Sequence, residues 1–99
     1  MSMTEYIRRH REWSQKTFGD VATPESVTKH IRKELDEIIA NPSDLMEWVD
    51  VIILAIDGAW RFAKAEPEEI WLALLRKQAV NRSREWPTPV PGEPTEHKR

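Results

Sequence analysis

Residues 30–60, HIRKELDEIIANPSDLMEWVDVIILAIDGAW, decide the fold, because two helix-forming runs flank a short break at Asn41-Pro42-Ser43. Proline disfavours helical backbone at the residue before it, so the first of these helices should end at Asn41. Ser43 or Asp44 then caps the next helix. Two helices joined by so short a connection are expected to fold back on each other as an antiparallel hairpin.

Four acidic residues lie at matching distances on either side of this break. Residues three or four apart share one face of a helix, and the acids form two such pairs, Glu34 with Glu37 and Glu47 with Asp50. Each acid has a counterpart across the break, and both cross-pairs average to position 42. A folded hairpin would therefore gather four carboxylates in one space, on rungs about 4.5 Å apart along the helix axis.

A cluster of this kind requires a cation to neutralise it. Oxygen ligands in a chain without cysteine suit a hard ion, Mg²⁺ first, with Mn²⁺ also possible. A di-iron centre would use Glu-x-x-His pairs, and neither acidic pair contains that histidine. We therefore predict that the metal ligands and catalytic residues are Glu34, Glu37, Glu47 and Asp50.

The predicted helix from Leu45 to Phe62 is apolar on nearly every side, which indicates burial. In a four-helix chain of 99 residues, part of that surface is expected to be buried against a second subunit. Asp57 shares the stripe of Glu47 and Asp50 but lies about 10 Å along the axis from Asp50, too far to bind the same ion. We expect Asp57 to support the ligands from outside or to form a buried pair.

Further helix signals flank the hairpin. A first helix is predicted from Thr4 to Phe18, with Gly19 directly after its end, and Thr23-Pro24 begins the second. Pro67 begins the fourth helix, which Trp86-Pro87 ends. No stretch alternates as a strand does. The predicted fold is thus all-α, with a four-helix catalytic domain in residues 1–86 and a proline-rich tail in residues 87–99.

Candidate substrate-binding residues lie outside the acidic pairs. One face of the fourth helix ends in Lys77, Asn81 and Arg84. These residues are either the solvent-exposed end of the helix or a binding surface for a phosphate chain. His30 lies one turn before Glu34, as a packed histidine or as a partner of the carboxylates. Most of the five tryptophans are expected in the core, and Trp13 or Trp86 is a candidate for stacking on a base.

Composition excludes several classes of protein. A net charge of −2 argues against a dedicated nucleic-acid binder, and contact of Arg8, Arg9 and Arg11 with nucleic acid is a minor alternative. The absence of cysteine excludes disulfides and thiolate sites. No apolar run reaches the length of a membrane span or a signal peptide. We expect a cytoplasmic protein without nucleic-acid or membrane partners.

Carboxylates that hold Mg²⁺ beside a Lys/Asn/Arg face point to the hydrolysis of a phosphoanhydride. The ion would neutralise phosphate charge and activate a water molecule for in-line attack on phosphorus. A carboxylate that does not bind the ion would serve as general base. The alternative is a non-catalytic helical module that binds a partner through its apolar surface.

The motifs together resemble the MazG-like all-α NTP pyrophosphohydrolases and, more narrowly, the phage and prophage dATP/dGTP pyrophosphohydrolase family. The resemblance covers nearly the whole chain. Its main motifs are Glu34-x-x-Glu37, the block Asp44-Leu45-Met46-Glu47-Trp48-Val49-Asp50-Val51-Ile52, Asp57-Gly58-Ala59 and Lys77-x-x-x-Asn81-x-x-Arg84-x-Trp86-Pro87. Further matches are Trp13-Ser14, Thr17-Phe18-Gly19, His30 and Glu96-His97.

This resemblance implies a function as well as a fold. It implies Mg²⁺-dependent hydrolysis of a nucleoside triphosphate to the monophosphate and pyrophosphate, by a homodimer or homotetramer. The four acids match the family's metal ligands, and Lys77, Asn81 and Arg84 match its nucleotide-binding positions. Two features differ from larger MazG domains: Lys33 precedes Glu34 where those domains often have a second glutamate, and the interval between the acidic pairs is shorter.

Overall fold

Four helices make up the fold in the computed structural model, which describes residues 1–98. They are α1 (Met3–Phe18), α2 (Pro24–Ala40), α3 (Leu45–Phe62) and α4 (Pro67–Ser83), and residues 1–98 contain no strand. The all-α, four-helix prediction is confirmed. None of the helices in this part of the chain combines the length and apolar composition needed to cross a membrane.

Local signals in the sequence account for the helix ends. Gly19 ends α1 with φ +65°, a backbone conformation that costs glycine little. The Thr23 side chain caps α2 by accepting a hydrogen bond from the backbone N–H of Ser26, with Pro24 at the first helical position. The Asp44 carboxylate caps α3 by accepting from the N–H of Met46, 2.9 Å away.

The end of α4 differs from the prediction. The helix stops at Ser83, and Arg84 has extended backbone (φ −82°, ψ 156°). The indole N–H of Trp86 donates to the backbone carbonyl of Asn81 at 2.7 Å. A continuing helix would have used that carbonyl for Glu85, so the Trp86 side chain replaces the next helical hydrogen bond. Arg84 therefore lies beyond the helical face that carries Lys77 and Asn81.

The helices pack as a hairpin with two further helices on one side. Helices α2 and α3 form the most extensive contact; α1 packs against α3 and α4, and α4 also touches α3. Within residues 1–98, α2 contacts no helix other than α3. Helices α2 and α4 thus lie apart, on different sides of the chain.

The core of the single chain is thin. Three aliphatic side chains are buried in the described residues, Ile7, Ile38 and Ile56, and of these Ile7 alone is fully enclosed, at 1% exposure. Burial of one such side chain contributes at most about 1.5–3 kcal/mol. The predicted all-round burial of α3 is not found within one chain, because no helix covers its outer face: Leu45 is 67% exposed and Ile52 53%.

The tail returns to the end of α4. Residues 84–98 contain no helix or strand; a turn at Gly92 reverses the chain, and the backbone N–H of Lys98 donates to the carbonyl of Glu85 at 2.9 Å. The rings of Trp86 and His97 meet edge to face, 6.0 Å apart. The proposed boundary between domain and tail stays a prediction.

Candidate active site

The hairpin brings three of the four predicted acids together. One carboxylate oxygen from each of Glu34, Glu37 and Glu47 lies within 4.8 Å of the others. Glu34 and Glu37 come from adjacent turns of α2, and Glu47 lies in the first turn of α3 across the break. Glu34 is only 8% exposed, so these carboxylates form a partly buried acidic cluster.

Asp50 lies outside this group of three and is exposed. Its charge nevertheless contributes to raising the pKa of both Glu34 and Glu47, so it lies near the cluster. It also lines a cavity beside the cluster, together with Glu34. Asp50 is therefore placed between the acidic cluster and the cavity.

Two oxygens in the cluster are buried without any hydrogen-bond partner: Oε2 of Glu34 and Oε2 of Glu47. They are the only such side-chain atoms in residues 1–98. Burying a carboxylate oxygen unpaired is costly unless a cation or a donor compensates it. The donor set consists entirely of carboxylates, so the residues present fit a hard divalent cation.

The electrostatics of the cluster agree with this fit. A hydrogen bond shared with Glu37 is the largest cause that raises the pKa of Glu34, followed by burial and by the charge of Glu37. The same causes, in the same order, raise the pKa of Glu47. The raised pKa values mean that the carboxyl groups of Glu34 and Glu47 resist ionisation in the absence of a cation.

His30 lies at the edge of the cluster. Its Nε2 is 3.3 Å from Oε1 of Glu34, one turn along α2, and its ring is largely exposed. Its charge lowers the pKa of Glu34, against the larger raising effects of Glu37 and burial. His30 therefore contacts a cluster carboxylate from the solvent side.

A cavity of about 240 Å³ adjoins the acidic cluster. Ile53 and Leu54 of α3 form its apolar part, and Trp13 and Phe18 of α1 lie along it with their rings edge to face, 5.5 Å apart. Both aromatic side chains are more than half exposed. Pockets for whole drug-sized ligands measure roughly 300–1,000 Å³, so this cavity suits a single ring system.

The other end of the cavity is a polar network centred on Asp57. Its Oδ1 accepts hydrogen bonds from three side chains: Ser14 Oγ at 2.6 Å, His10 Nε2 at 2.9 Å and Trp60 Nε1 at 3.0 Å. Its Oδ2 accepts from Arg61 Nε at 2.8 Å. Asp57 thus forms a buried pair, one of the two roles expected for it.

Arg61 fixes this network to the end of α1. Its Nη1 donates to the carbonyl of Gly19 at 2.6 Å, and its Nη2 donates to Oγ of Ser14 at 2.9 Å. Burial acts to raise the pKa of Asp57, but the hydrogen bonds from Ser14, Arg61, His10 and Trp60 together hold it below its usual range. Asp57 is therefore held as a carboxylate.

The predicted phosphate-binding residues, Lys77, Asn81 and Arg84, do not contact the glutamates of α2 within one chain. Lys77 is exposed, and none of Lys77, Asn81 and Arg84 lines the cavity. Nη1 of Arg84 lies 3.4 Å from Oδ1 of Asn81 and 3.5 Å from Nδ1 of His97. Because α4 does not touch α2, these residues and the glutamates of α2 belong to separate parts of the chain.

The sequence did not reveal His10, Ser14 and Arg61 as part of this site. A weak signal was present: His10 and Ser14 are four apart on the inner face of α1, and Asp57 and Arg61 are four apart on α3. The two helices are linked by the contact between His10 and Asp57, which are 47 positions apart in the sequence. Local spacing does not indicate a contact between such distant residues.

Fold and site together define an all-α protein with an acidic cluster that opens on a ring-sized cavity. A comparison with family models matches residues 6–99 to the dATP/dGTP pyrophosphohydrolase family. The chain belongs to this family. The match confirms the predicted resemblance, and the name of the family denotes the predicted class of enzyme, a nucleoside triphosphate pyrophosphohydrolase.

A curated relative extends the comparison. The chain is 46% identical over 94 residues to the Eaa protein of Salmonella phage P22. The alignment covers 94% of this chain but only 29% of that protein, so the chain corresponds to less than a third of the relative's length. No solved structure matches the chain.

Proposed function

We propose that this protein hydrolyses dATP and dGTP to the monophosphate and pyrophosphate in a Mg²⁺-dependent reaction. The observation that carries the proposal is the acidic cluster, in which two buried glutamate oxygens without partners lie beside a ring-sized cavity. Membership of the dATP/dGTP pyrophosphohydrolase family supplies the substrate class.

Glu34, Glu37 and Glu47 would hold the metal ion, with Asp50 as the fourth acid. Mg²⁺ is the ion expected, and Mn²⁺ could replace it because both prefer oxygen ligands. When bound, the ion supplies charge neutralisation and polarisation of the phosphate groups. His30 would orient the Glu34 carboxylate through the 3.3 Å contact between Nε2 and Oε1.

The nucleoside would occupy the cavity. Trp13 offers an exposed aromatic face for the base, and apolar side chains of α3 exclude water from the other side. Asp57 and Asp50 are seven residues apart on α3, which separates the two ends of the cavity by about 10 Å. A base near Asp57 would therefore place the phosphates close to the acidic cluster.

Lys77, Asn81 and Arg84 would hold the phosphates, and in this proposal they come from a partner subunit. Two observations support a homodimer or homotetramer. The hairpin exposes large apolar side chains, among them Ile39 at 78% and Leu45 at 67%. In addition, the cationic end of α4 belongs to a helix that does not contact α2, and it is complementary in charge to the glutamates of α2.

A panel of the eight common nucleoside triphosphates with Mg²⁺ tests the proposal, with pyrophosphate and orthophosphate measured separately. We expect pyrophosphate from dATP and dGTP. Glu37→Gln and Glu47→Gln should abolish its release while circular dichroism shows the helices unchanged. Absence of pyrophosphate from all eight nucleotides would refute the proposal, and orthophosphate alone would refute the proposed bond cleavage.

The exposed apolar surface favours one other candidate, a non-catalytic helical module that binds a partner protein. That candidate predicts function without metal and without the acidic residues. Metal-dependent pyrophosphate release in the same panel would exclude it. The cytoplasmic location and the absence of nucleic-acid partners remain predictions.

A further inference from the structure

We propose that His10 determines specificity by accepting a hydrogen bond from an amino group of the bound base, and that Asp57 is the positioning residue that holds His10 in the accepting tautomer. This inference rests on the proposed function, because it assigns the cavity to the base. It concerns His10 and Asp57, to which the proposed function assigns no part in binding the metal ion or the phosphates.

The hydrogen bonds of Asp57 determine which nitrogen of His10 carries the proton. An ionised carboxylate only accepts hydrogen bonds. The 2.9 Å contact between His10 Nε2 and Asp57 Oδ1 therefore requires a proton on Nε2. In a neutral imidazole, Nδ1 is then unprotonated and can only accept.

Arg61 is the positively charged partner of Asp57. Its guanidinium donates to Oδ2 of Asp57 at 2.8 Å and is 5% exposed, so it already supplies the positive charge that balances the carboxylate. Ser14 and Trp60 fill the remaining positions on Oδ1. Both oxygens of Asp57 thus already accept hydrogen bonds from side chains of this protein.

His10 Nδ1 is the acceptor that remains available. The ring lines the cavity, and its side chain is only 7% exposed. Nδ1 has no hydrogen-bond partner in residues 1–98. The buried side-chain atoms without a partner in these residues belong to Glu34 and Glu47, so Nδ1 of His10 is not fully buried. It therefore reaches accessible space, and the residue that carries it lines the cavity together with Asp57.

An acceptor at this position favours bases that carry an amino group. Adenine has one at C6 and guanine at C2, whereas unsubstituted purine has none. One neutral hydrogen bond contributes about 0.5–1.5 kcal/mol, so the acceptor should favour dATP over the amino-free analogue by about 2- to 10-fold in kcat/KM.

The test compares dATP with purine 2′-deoxyriboside triphosphate, which lacks only the amino group. For the wild-type protein with Mg²⁺ we expect a kcat/KM ratio between about 2 and 10. His10→Ala should reduce the ratio to about 1, and any loss of activity common to both substrates cancels in this ratio.

The Asp57→Asn variant tests the positioning role of Asp57 separately from the hydrogen bond that His10 accepts from the base. Its amide can donate to Nε2 and so reverse the tautomer, which should also bring the ratio to about 1 while His10 is still present. Trp60→Phe is the matched control, because it removes one donor to the same Oδ1 but leaves the tautomer, and it should keep the wild-type ratio. If Asp57→Asn does not fold, the His10→Ala and Trp60→Phe pair still decides the role of His10.

Binding of the monophosphates provides a readout without turnover. Quenching of tryptophan fluorescence by dAMP and by purine 2′-deoxyriboside monophosphate should show the same preference in the wild type and its loss in His10→Ala. Equal binding of both by the wild type, or a preference that survives His10→Ala, would overturn the inference. Absence of turnover with a preserved binding preference would instead refute the proposed reaction.

Discussion

Two sets of acidic side chains show opposite kinds of environment. In the acidic cluster of the α2–α3 hairpin, Glu34 and Glu47 each have a buried oxygen without a partner, and their pKa values are raised. About 15 Å along the axis of α3 from Glu47, Asp57 accepts four hydrogen bonds and its pKa is lowered. The first arrangement is incomplete without a ligand, whereas the second is complete within the chain.

The difference separates a binding site from the structure that supports it. Unpaired buried carboxylates destabilise a protein unless something outside the chain compensates them. A carboxylate with a full set of donors ties helices together, here α1 to α3 through Ser14, His10 and Arg61. Substitutions in the two regions should therefore change stability in opposite directions.

The largest expected effect is on stability, from Asp57→Ala. The change leaves the Arg61 guanidinium buried without its carboxylate, and breaking a buried pair costs 3–5 kcal/mol. Because Asp57 retains 14% exposure, we expect about 3 kcal/mol, at the lower end. Urea unfolding of the metal-free protein measures it, and Glu68→Gln, an exposed acid of α4, is the control. A loss below 1 kcal/mol would show that the network does not support the fold.

In the acidic cluster, Glu47→Gln should have the opposite effect on stability and a large effect on activity. Removing one of three close like charges should raise the melting temperature of the metal-free protein at neutral pH. Pyrophosphate release should fall at least about 100-fold, since loss of even an outer partner of a metal ligand costs 10–100-fold. A melting temperature that falls would mean that Glu47 is satisfied within the chain.

Mixed oligomers test whether the acidic cluster takes its cationic partner from another subunit. Glu47→Gln and Arg84→Ala subunits, denatured and refolded together, should regain about a quarter of wild-type activity, because half of randomly mixed dimers are hybrid and contain one intact site. A mixture of Glu37→Gln with Glu47→Gln is the matched control and should stay inactive. No recovery in the first mixture would place Arg84 in the site of its own chain or outside the site.

The smallest expected effect is the pH dependence of stability, which should separate the two regions again. The raised pKa values of Glu34 and Glu47 favour the folded state at low pH, and this contribution is lost as pH rises through the raised values. The lowered pKa of Asp57 acts the other way: its contribution is present above the unfolded value and is lost as pH falls through the folded one.

Melting temperatures of the metal-free protein between pH 3 and pH 8 measure both contributions. Glu47→Gln should flatten the decline toward neutral pH, and Asp57→Asn should flatten the loss at acidic pH. Excess Mg²⁺ should remove the first dependence and leave the second. Identical profiles for both variants and the wild type would contradict the comparison.

Helical spacing predicted the hairpin and three members of the acidic cluster but not the position of Asp50. Residues three apart on a helix differ by about 60° in direction, so Glu47 can point into the cluster while Asp50 faces the cavity and solvent. The symmetry of the acids about position 42 predicts their positions along the hairpin axis. It does not predict the direction in which each side chain points around its helix.

Other parts of the site depend on packing between distant segments. The link from His10 to Asp57 is set by the register of α1 on α3, which one sequence does not specify. The position of Arg84 depends on a hydrogen bond from the Trp86 side chain that ends α4 early. The sequence also indicated that α3 is too apolar for a single chain, but only the arrangement of the helices shows which side stays uncovered.

The central claim is that the acidic cluster binds a divalent cation, and calorimetric titration of the metal-free protein with Mg²⁺ and with Mn²⁺ tests it most directly. We expect saturable binding at millimolar concentrations or below, lost in Glu37→Gln and retained in Glu68→Gln. Absence of saturable binding by the wild-type protein, or equal binding by Glu37→Gln, would contradict the account.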